Sequence, residues 1–461
     1  MVRYLRRAAV IGAGTMGAAI AAQFANAGVK VLLLDVLPAE LSPDEVKQNL
    51  SMEDELVRDR LARRGLDAAL KSRPASFFTA DQAALVEIGN LEDDFPRLTE
   101  AEWIVEAVVE DLDVKRKVMT LLDRVREESA VVTTNTSGIP VSKIAEGTSL
   151  RFRSHFLGAH FFNPPRYVRL LEIIPTTETL PEVTDWVAAF ATARLGKGIV
   201  RCKDTPNFIA NRLGSVAGAF ALDFIMRNGY TVEEVDAVTG PLIGRPKTAT
   251  FRLLDLVGLD VASTVRRNLA RAIPEDAFAQ RYLNSPAADG LIDGMVARGW
   301  LGGKAGQGFY KEVHENCKKV FLPIDLQTLE YRPAETVSFE SVRAAKGLDS
   351  LKDRLELMLR AEDRAGDLVR ALIFSSLAYS SRCIPEIADS PLPIDNAVRW
   401  GFLHDSGPFE IWDELGLATT SSMMDSAGFP AADWVRGLIS SGGSRFYKIE
   451  RGEKAGVFSF R

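Results

Sequence analysis

Cysteine and histidine are scarce in this chain. Among 461 residues there are 3 cysteines (Cys202, Cys317, Cys383) and 4 histidines (His155, His160, His314, His404). Three widely spaced thiols make neither a disulfide framework nor a zinc site, so a reducing compartment, the cytoplasm, is the expected location. The patterns C-x-x-C, H-E-x-x-H and G-x-S-x-G are all absent, so hydrolase and metalloenzyme readings lack support and no metal site is expected. Basic charge is not in excess either. The 56 Lys plus Arg stand against 62 Asp plus Glu, a net charge of −6, whereas a nucleic-acid surface leaves a basic footprint, so no nucleic-acid partner is expected. An uninterrupted membrane-spanning run is also missing. Arg3, Arg6 and Arg7 precede the apolar segment 8–29 in the manner of a signal peptide, but Gly12, Gly14, Gly17, Gly28, Gln23 and Asn26 break it. Neither secretion nor membrane insertion is expected.

What is present is the composition of a globular protein, 46% hydrophobic and 26% charged, in a chain long enough for about three domains at ~150 residues each. Segment 8–11 reads as a strand, Gly12 to Gly17 as a glycine turn, and 16–26 as a helix closed by Gly28. A second strand, 29–34, ends in Asp35, and 38–74 is helical and rich in charge, with Arg58, Arg60, Arg63, Arg64, Lys71 and Arg73. Further apolar strands fall at 103–109, 130–134, 156–162 and 170–174. Strands alternating with helices predict an α/β, Rossmann-like doubly wound sheet over 1–203.

Beyond that point the pattern becomes all-α. A helical domain is expected over 204–311, a linking segment over 312–365 with an extended piece around 321–333, and a second helical domain over 366–461. The two helical blocks repeat each other: Asp236, Phe251, Asp255, Gly258 and Leu259 correspond to Asp395, Phe409, Asp413, Gly416 and Leu417, and each block ends in Phe-Tyr-Lys (Phe309 to Lys311; Phe446 to Lys448).

Gly12, Gly14 and Gly17 form a G-x-G-x-x-G enclosing Thr15 and Met16, placed between a strand and a helix and followed by an acidic residue at the end of the next strand. Gly12 suits the tight turn, Gly14 lets backbone approach a pyrophosphate, and Gly17 permits close packing of helix on strand. Helix N–H groups would meet the phosphates, and Asp35 would accept from the ribose hydroxyls, which favours NAD over NADP. Ligands in such sheets sit beyond the carboxyl ends of the strands. There Glu110 and Lys115 follow one strand, and Asn135 and Ser137 another. Ser137 is equally readable as a ligand contact or as a cap for a helix from 141 onward.

His160 lies inside an apolar strand that turns at Asn163-Pro164-Pro165-Arg166 before a second apolar run. A hairpin centred on residue 166 would set His160 opposite Glu172. A carboxylate beside a histidine orients its tautomer and favours the imidazolium, as a general base requires. Hydride removal from an alcohol needs such a base, because the hydroxyl proton must leave as the hydride passes to the nicotinamide.

These residues resemble the L-3-hydroxyacyl-CoA dehydrogenases of fatty-acid β-oxidation. The segments carrying the resemblance are Gly12 to Gly17, VEAVVEDLDVK (105–115), Asn135-Thr136-Ser137, GAHFFNP (158–164), KDTPNFIANRL (203–213) and KAGQGFYK (304–311). The resemblance implies NAD-dependent oxidation of an acyl-CoA thioester, with His160 as base and Glu172 as its orienting partner. It implies that Ser137 and Asn211 bind the substrate, that Glu110, Lys115, Asn163 and Lys304 line the cofactor or CoA side, and that the basic stretch 58–73 meets CoA. Two departures stand out: Asn207 replaces the usual glycine, and Lys247 to Thr250 replace a usual Gly-Pro. The whole chain looks most like the dehydrogenase half of bifunctional enzymes in which an enoyl-CoA hydratase follows. It is expected to be either free-standing or the N-terminal part of a longer protein, with a homodimer or a hydratase domain or partner as the further expectation. The rivals are a dehydrogenase of free hydroxy acids on the same scaffold and a non-catalytic NAD-binding structural protein.

Overall fold

The computed structural model describes residues 4–315, 318–450 and 453–458, which leaves Arg3 and Cys317 outside the described residues. It divides into two compact units, Met1–Phe208 and Ile209–Arg461. Cys202 and Cys383 are buried thiols, not joined in a disulfide. Among the described residues no helix is long and apolar enough to cross a membrane, and no cluster of acidic, histidine or cysteine side chains could hold a metal.

The first unit is built on eight strands: β1 (Arg7–Ile11), β2 (Lys30–Asp35), β3 (Val86–Asn90), β4 (Trp103–Glu106), β5 (Val131–Thr134), β6 (Phe156–Phe161), β7 (Leu170–Pro175) and β8 (Gly198–Arg201). They are ordered β3-β2-β1-β4-β5-β6-β7-β8, all neighbours parallel except β6 and β7. The inner strands are continuous apolar runs because both faces of a parallel sheet are covered. The edge strands β3 and β8 escaped sequence reading: VEIGN carries Glu, Gly and Asn, and GIVR is only four residues long. Trp103 anchors one face, its ring 5.1 Å from Phe24, 5.9 Å from Phe190 and 5.5 Å from Trp186, all edge-to-face. The charged segment 38–74, read as helical throughout, breaks into helices Pro43–Lys47, Glu55–Arg58 and Arg60–Lys71, the first held by a capping box between Ser42 and Glu45.

The second unit is mainly helical, and helix Ala210–Asn228 packs along Arg364–Arg382. Two hairpins interrupt it. Strands Tyr310–Glu315 and Lys318–Pro323 pair where the sequence reading placed its extended piece later, around 321–333, and Tyr447–Glu450 pairs with Glu453–Val457 in a block read as wholly helical. The two blocks carry the same hydrogen-bond arrangement. Asp236 accepts from the Phe251 N–H (2.8 Å) and the Tyr310 hydroxyl (2.9 Å), while Asp255 accepts from the Phe309 and Tyr310 N–H groups (2.8 and 2.9 Å). Asp395 likewise accepts from the Phe409 N–H (2.9 Å) and the Tyr447 hydroxyl (2.5 Å), and Asp413 from the Phe446 and Tyr447 N–H groups (2.8 and 3.0 Å). The repeated Phe-Tyr pair thus ties a hairpin to two helices through two carboxylates.

Asp413→Ala leaves two buried N–H groups without an acceptor, each worth roughly 1–3 kcal/mol when orphaned. Denaturant unfolding should show a loss of about 2–4 kcal/mol, against under about 0.5 kcal/mol for Asp425→Ala on the exposed surface.

Candidate active site

The glycine turn follows β1. Gly12 has φ +97°, and a Cβ there would lie 2.6 Å from the Ala107 carbonyl oxygen; a Cβ on Gly17 would lie 1.7 Å from that of Gly12. Nothing lies within 4 Å of the position a Gly14 Cβ would take. The turn is therefore packed shut on its inner side and open at Gly14, where helix α1 (Thr15–Asn26) begins with Thr15 and Met16. Asp35 closes β2, and its Oδ2 accepts from the Ala13 N–H (2.7 Å), so this carboxylate also braces the turn.

Helix Arg60–Lys71 lies directly against the turn, since a Cβ on its Gly65 would come within 2.1 Å of the Ala13 carbonyl oxygen. Arg63, Arg64 and Lys71 are exposed and flank a shallow groove with Arg60 and Asp67. Arg58 and Arg60 are committed elsewhere: Arg58 donates to Asp93 (2.6 Å), and Arg60 pairs with Glu45.

Beyond β4 and β5 lies a charged network that the sequence reading only half recovered. Glu106 is fully buried; its Oε1 accepts from Lys115 Nζ and the Val108 N–H (both 2.8 Å), and its Oε2 from the Thr134 hydroxyl (2.6 Å). Lys115, 1% exposed, also lies 3.3 Å from Glu110. It is held between the two carboxylates. Glu110 in turn accepts from the Thr136 hydroxyl (2.6 Å) and the N–H groups of Ser137 (2.9 Å) and Gly138 (3.2 Å). Burial would raise its carboxyl, but the Lys115 ammonium and these donors outweigh burial and hold it below the usual carboxylate range. The signal for Glu106 was a charge ending the apolar run WIVE.

The loop after β5 is fixed from several sides. Asn135 is buried, and its Oδ1 accepts from the Phe161 N–H (2.8 Å), tying the loop to β6. Ser137 is half-buried, and the carboxylate of Asp204 serves the helix that follows, accepting from the N–H groups of Val141 (2.5 Å) and Ser142 (2.9 Å).

His160 and Glu172 face each other as cross-strand partners in the antiparallel pair β6–β7. His160 is 4% exposed and Glu172 is fully buried, with Nδ1 of the ring 2.8 Å from Oε2 of the carboxylate. Phe162 and Phe208 flank the imidazole at ring separations of 4.3 and 5.8 Å. The connecting turn, with exposed Asn163, is clamped by a residue the sequence reading missed. Lys197 is buried with no carboxylate partner among the described residues; its Nζ donates to the carbonyls of Pro165 and Val168 (2.8 Å to the latter) and lies 5.7 Å from the centre of the Phe161 ring. Burial pushes its ammonium down to about 8. Asn211 and Lys304 belong to the second unit, Asn211 in the first turn of Ala210–Asn228 and Lys304 ion-paired with Asp260 (2.6 Å).

Comparison with known proteins identifies two domains. The 3-hydroxyacyl-CoA dehydrogenase NAD binding domain matches residues 7–205, and the 3-hydroxyacyl-CoA dehydrogenase C-terminal domain matches 208–312. A Bacillus subtilis protein named probable 3-hydroxyacyl-CoA dehydrogenase is 42% identical over 452 residues, 98% of this chain but 56% of the relative, so the chain spans little more than half that protein's length. A Deinococcus radiodurans protein of the same name is 44% identical over 314 residues, 68% of this chain and 84% of the relative. The crystal structure of 3-hydroxybutyryl-CoA dehydrogenase from Escherichia coli shares the fold, with a TM-score of 0.65 over 95% of this chain and all of that one, at 23% identity.

The Lys197 clamp has a pH signature. Between about 8 and the ordinary lysine value of 10.5 the unfolded chain holds a proton that the folded chain has released. Stability therefore rises with pH across that window, by up to about 1.4 kcal/mol per unit. Urea unfolding at pH 7.5 and 9.5 should show wild type gaining on Lys197→Met by about 1–2 kcal/mol; a constant gap would remove the buried cation from the account.

Proposed function

Because this chain belongs to the 3-hydroxyacyl-CoA dehydrogenase family, we propose that it oxidises the 3-hydroxyl of an L-3-hydroxyacyl-CoA to the ketone with NAD+, as a step of fatty-acid β-oxidation. The observation that carries this reading is the buried His160–Glu172 pair in the strands next to the dinucleotide-type half of the sheet. A carboxylate only accepts, so Nδ1 of His160 carries the hydrogen of that bond and Nε2 keeps its lone pair. Nε2 takes the hydroxyl proton, and Glu172 stabilises the imidazolium so formed. Ser137 and Asn211 bind the substrate's hydroxyl or thioester end and help to aim its C3 hydrogen for transfer.

The open space at Gly14, the free first turn of α1 and Asp35 at the end of β2 fit a dinucleotide. Gly12 to Gly17 would hold the pyrophosphate and Asp35 the adenosine ribose, with Glu110, Asn135, Asn163 and Lys304 toward the nicotinamide or CoA side. Bound NAD+ supplies the hydride acceptor. Arg63, Arg64 and Lys71 would meet the phosphates of CoA, a role that a free hydroxy acid would leave without purpose.

The direct test is NADH formation with L-3-hydroxyacyl-CoA substrates of several chain lengths and with the corresponding free acids. His160→Ala should lower kcat by about 10²–10⁴-fold. An inert wild type, or a variant with unchanged turnover, overturns the assignment, and equal rates on free acids overturn the CoA part. Separately, the double variant Arg63→Ala/Arg64→Ala should raise KM for the thioester about tenfold while leaving kcat in place, an effect that added salt reproduces in the wild type. An unchanged KM would place CoA elsewhere.

A further inference from the structure

Asn207 is a departure from the family pattern that the proposed reaction does not use. It is 5% exposed and has φ +61°, and Phe208, whose ring flanks His160, follows it at φ +49°. Two consecutive residues other than glycine in the left-handed region are costly, and a bulky one is a rare outlier that its surroundings must enforce. Glycine would relieve the strain at 207, yet a side chain is kept there. That side chain fills the space over the Ser137 loop: a Cβ on Gly138 would lie 2.5 Å from Asn207 Oδ1. A side chain on Gly138 would push the Asn207 carboxamide from its place, and the pair forms one wall beside Ser137 and the Glu110 carboxylate, to which the Gly138 N–H donates (3.2 Å).

The carboxamide that occupies this wall has no hydrogen-bond partner among the described residues, and its polar atoms are not among those sealed from solvent. A carboxamide offers two donors and two acceptor sites, and a nearly buried one left unpaired is unfavourable unless something from outside pairs with it. Its Oδ1 lies over Gly138, next to Ser137, and the residue that follows it in the chain is Phe208, whose ring flanks His160.

We propose that Asn207 is a substrate-positioning residue whose carboxamide donates a hydrogen bond to the thioester carbonyl of the acyl-CoA. The inference rests on the dehydrogenase reading above. On a 3-hydroxyacyl thioester the carbonyl carbon is separated from C3 by a single carbon, so a substrate whose hydroxyl is held at Ser137 and His160 brings that oxygen to the adjoining wall. A neutral donor suits a neutral carbonyl and adds no charge beside Glu110.

Asn207→Gly removes the carboxamide and relaxes the backbone, so it tests the contact without harming the fold. The expected result, measured by NADH formation, is a fall of about tenfold in kcat/KM for the acyl-CoA, with NADH affinity and thermal midpoint unchanged or the midpoint raised. Asn207→Asp, of the same shape but with no donor at neutral pH, should lose at least as much. Gly138→Ala should impair the wild type and be tolerated in the Asn207→Gly background. In an active wild type, a kcat/KM within twofold in Asn207→Gly overturns this inference alone, as does a loss matched by weaker NADH binding. A wild type inert on every acyl-CoA overturns the dehydrogenase reading together with it.

Discussion

The antiparallel register of β6 and β7 is the constraint on which the site depends. Every other neighbouring pair in the eight-stranded sheet is parallel, and only a reversal can set a residue opposite another twelve positions on through a short turn. Side chains alternate along a strand, so a slip of one residue would move Glu172 to the opposite face and leave His160 facing Ile173 or Leu171. The register is held by more than its ladder. Asn135 fastens β6 from the β5 side, and Lys197 fastens the turn from the β8 side. The pair is thus fixed by its own ladder and by two further connections to the neighbouring strands.

Mild overall acidity is compatible with the anionic ligands proposed for this unit. The groups proposed to meet anions are local: an open helix N-terminus at Gly14, and three exposed cations on the helix that leans on the turn through Gly65. Charges inside the sheet are arranged on the opposite principle. Glu106 and Lys115 are buried, the more exposed Glu110 lies beside them, and the two carboxylates share one ammonium with further donors on their oxygens. Burying a carboxylate without a partner is costly, and losing one partner costs more than the pair contributes. Through Glu110, the buried Glu106–Lys115 pair braces the loop bearing Ser137.

Much of this was legible in the sequence because it rests on periodicity and spacing. The glycine turn, the inner apolar strands and the mirror relation of His160 to Glu172 follow from residues close along the chain. The correspondence of Asp236 with Asp395 and of Asp255 with Asp413 was also readable, since matched residues do matched work in the two blocks. What was not legible depends on distant partners. β3 and β8 are edge strands with little apolar pattern, and the hairpins of the second unit are short interruptions of helix. Lys197 looked like a surface lysine until its carbonyl partners, some thirty residues earlier, came into view. Glu106 was visible as a charge in an apolar strand, but only the fold shows that it shares Lys115 with Glu110.

The central claim is that Glu172 fixes the His160 imidazole with its hydrogen on Nδ1 and its lone pair on Nε2. Nitrogen-detected NMR of histidine-labelled protein reads this tautomer directly, because the two ring nitrogens shift apart according to which is protonated. With only four histidines in the chain, His160 can be assigned from a single substitution. The account predicts a neutral His160 almost wholly in the Nδ1–H form in the wild type and a mixture of tautomers in Glu172→Gln. A wild-type His160 protonated on Nε2, or one unaffected by Glu172→Gln, would contradict it.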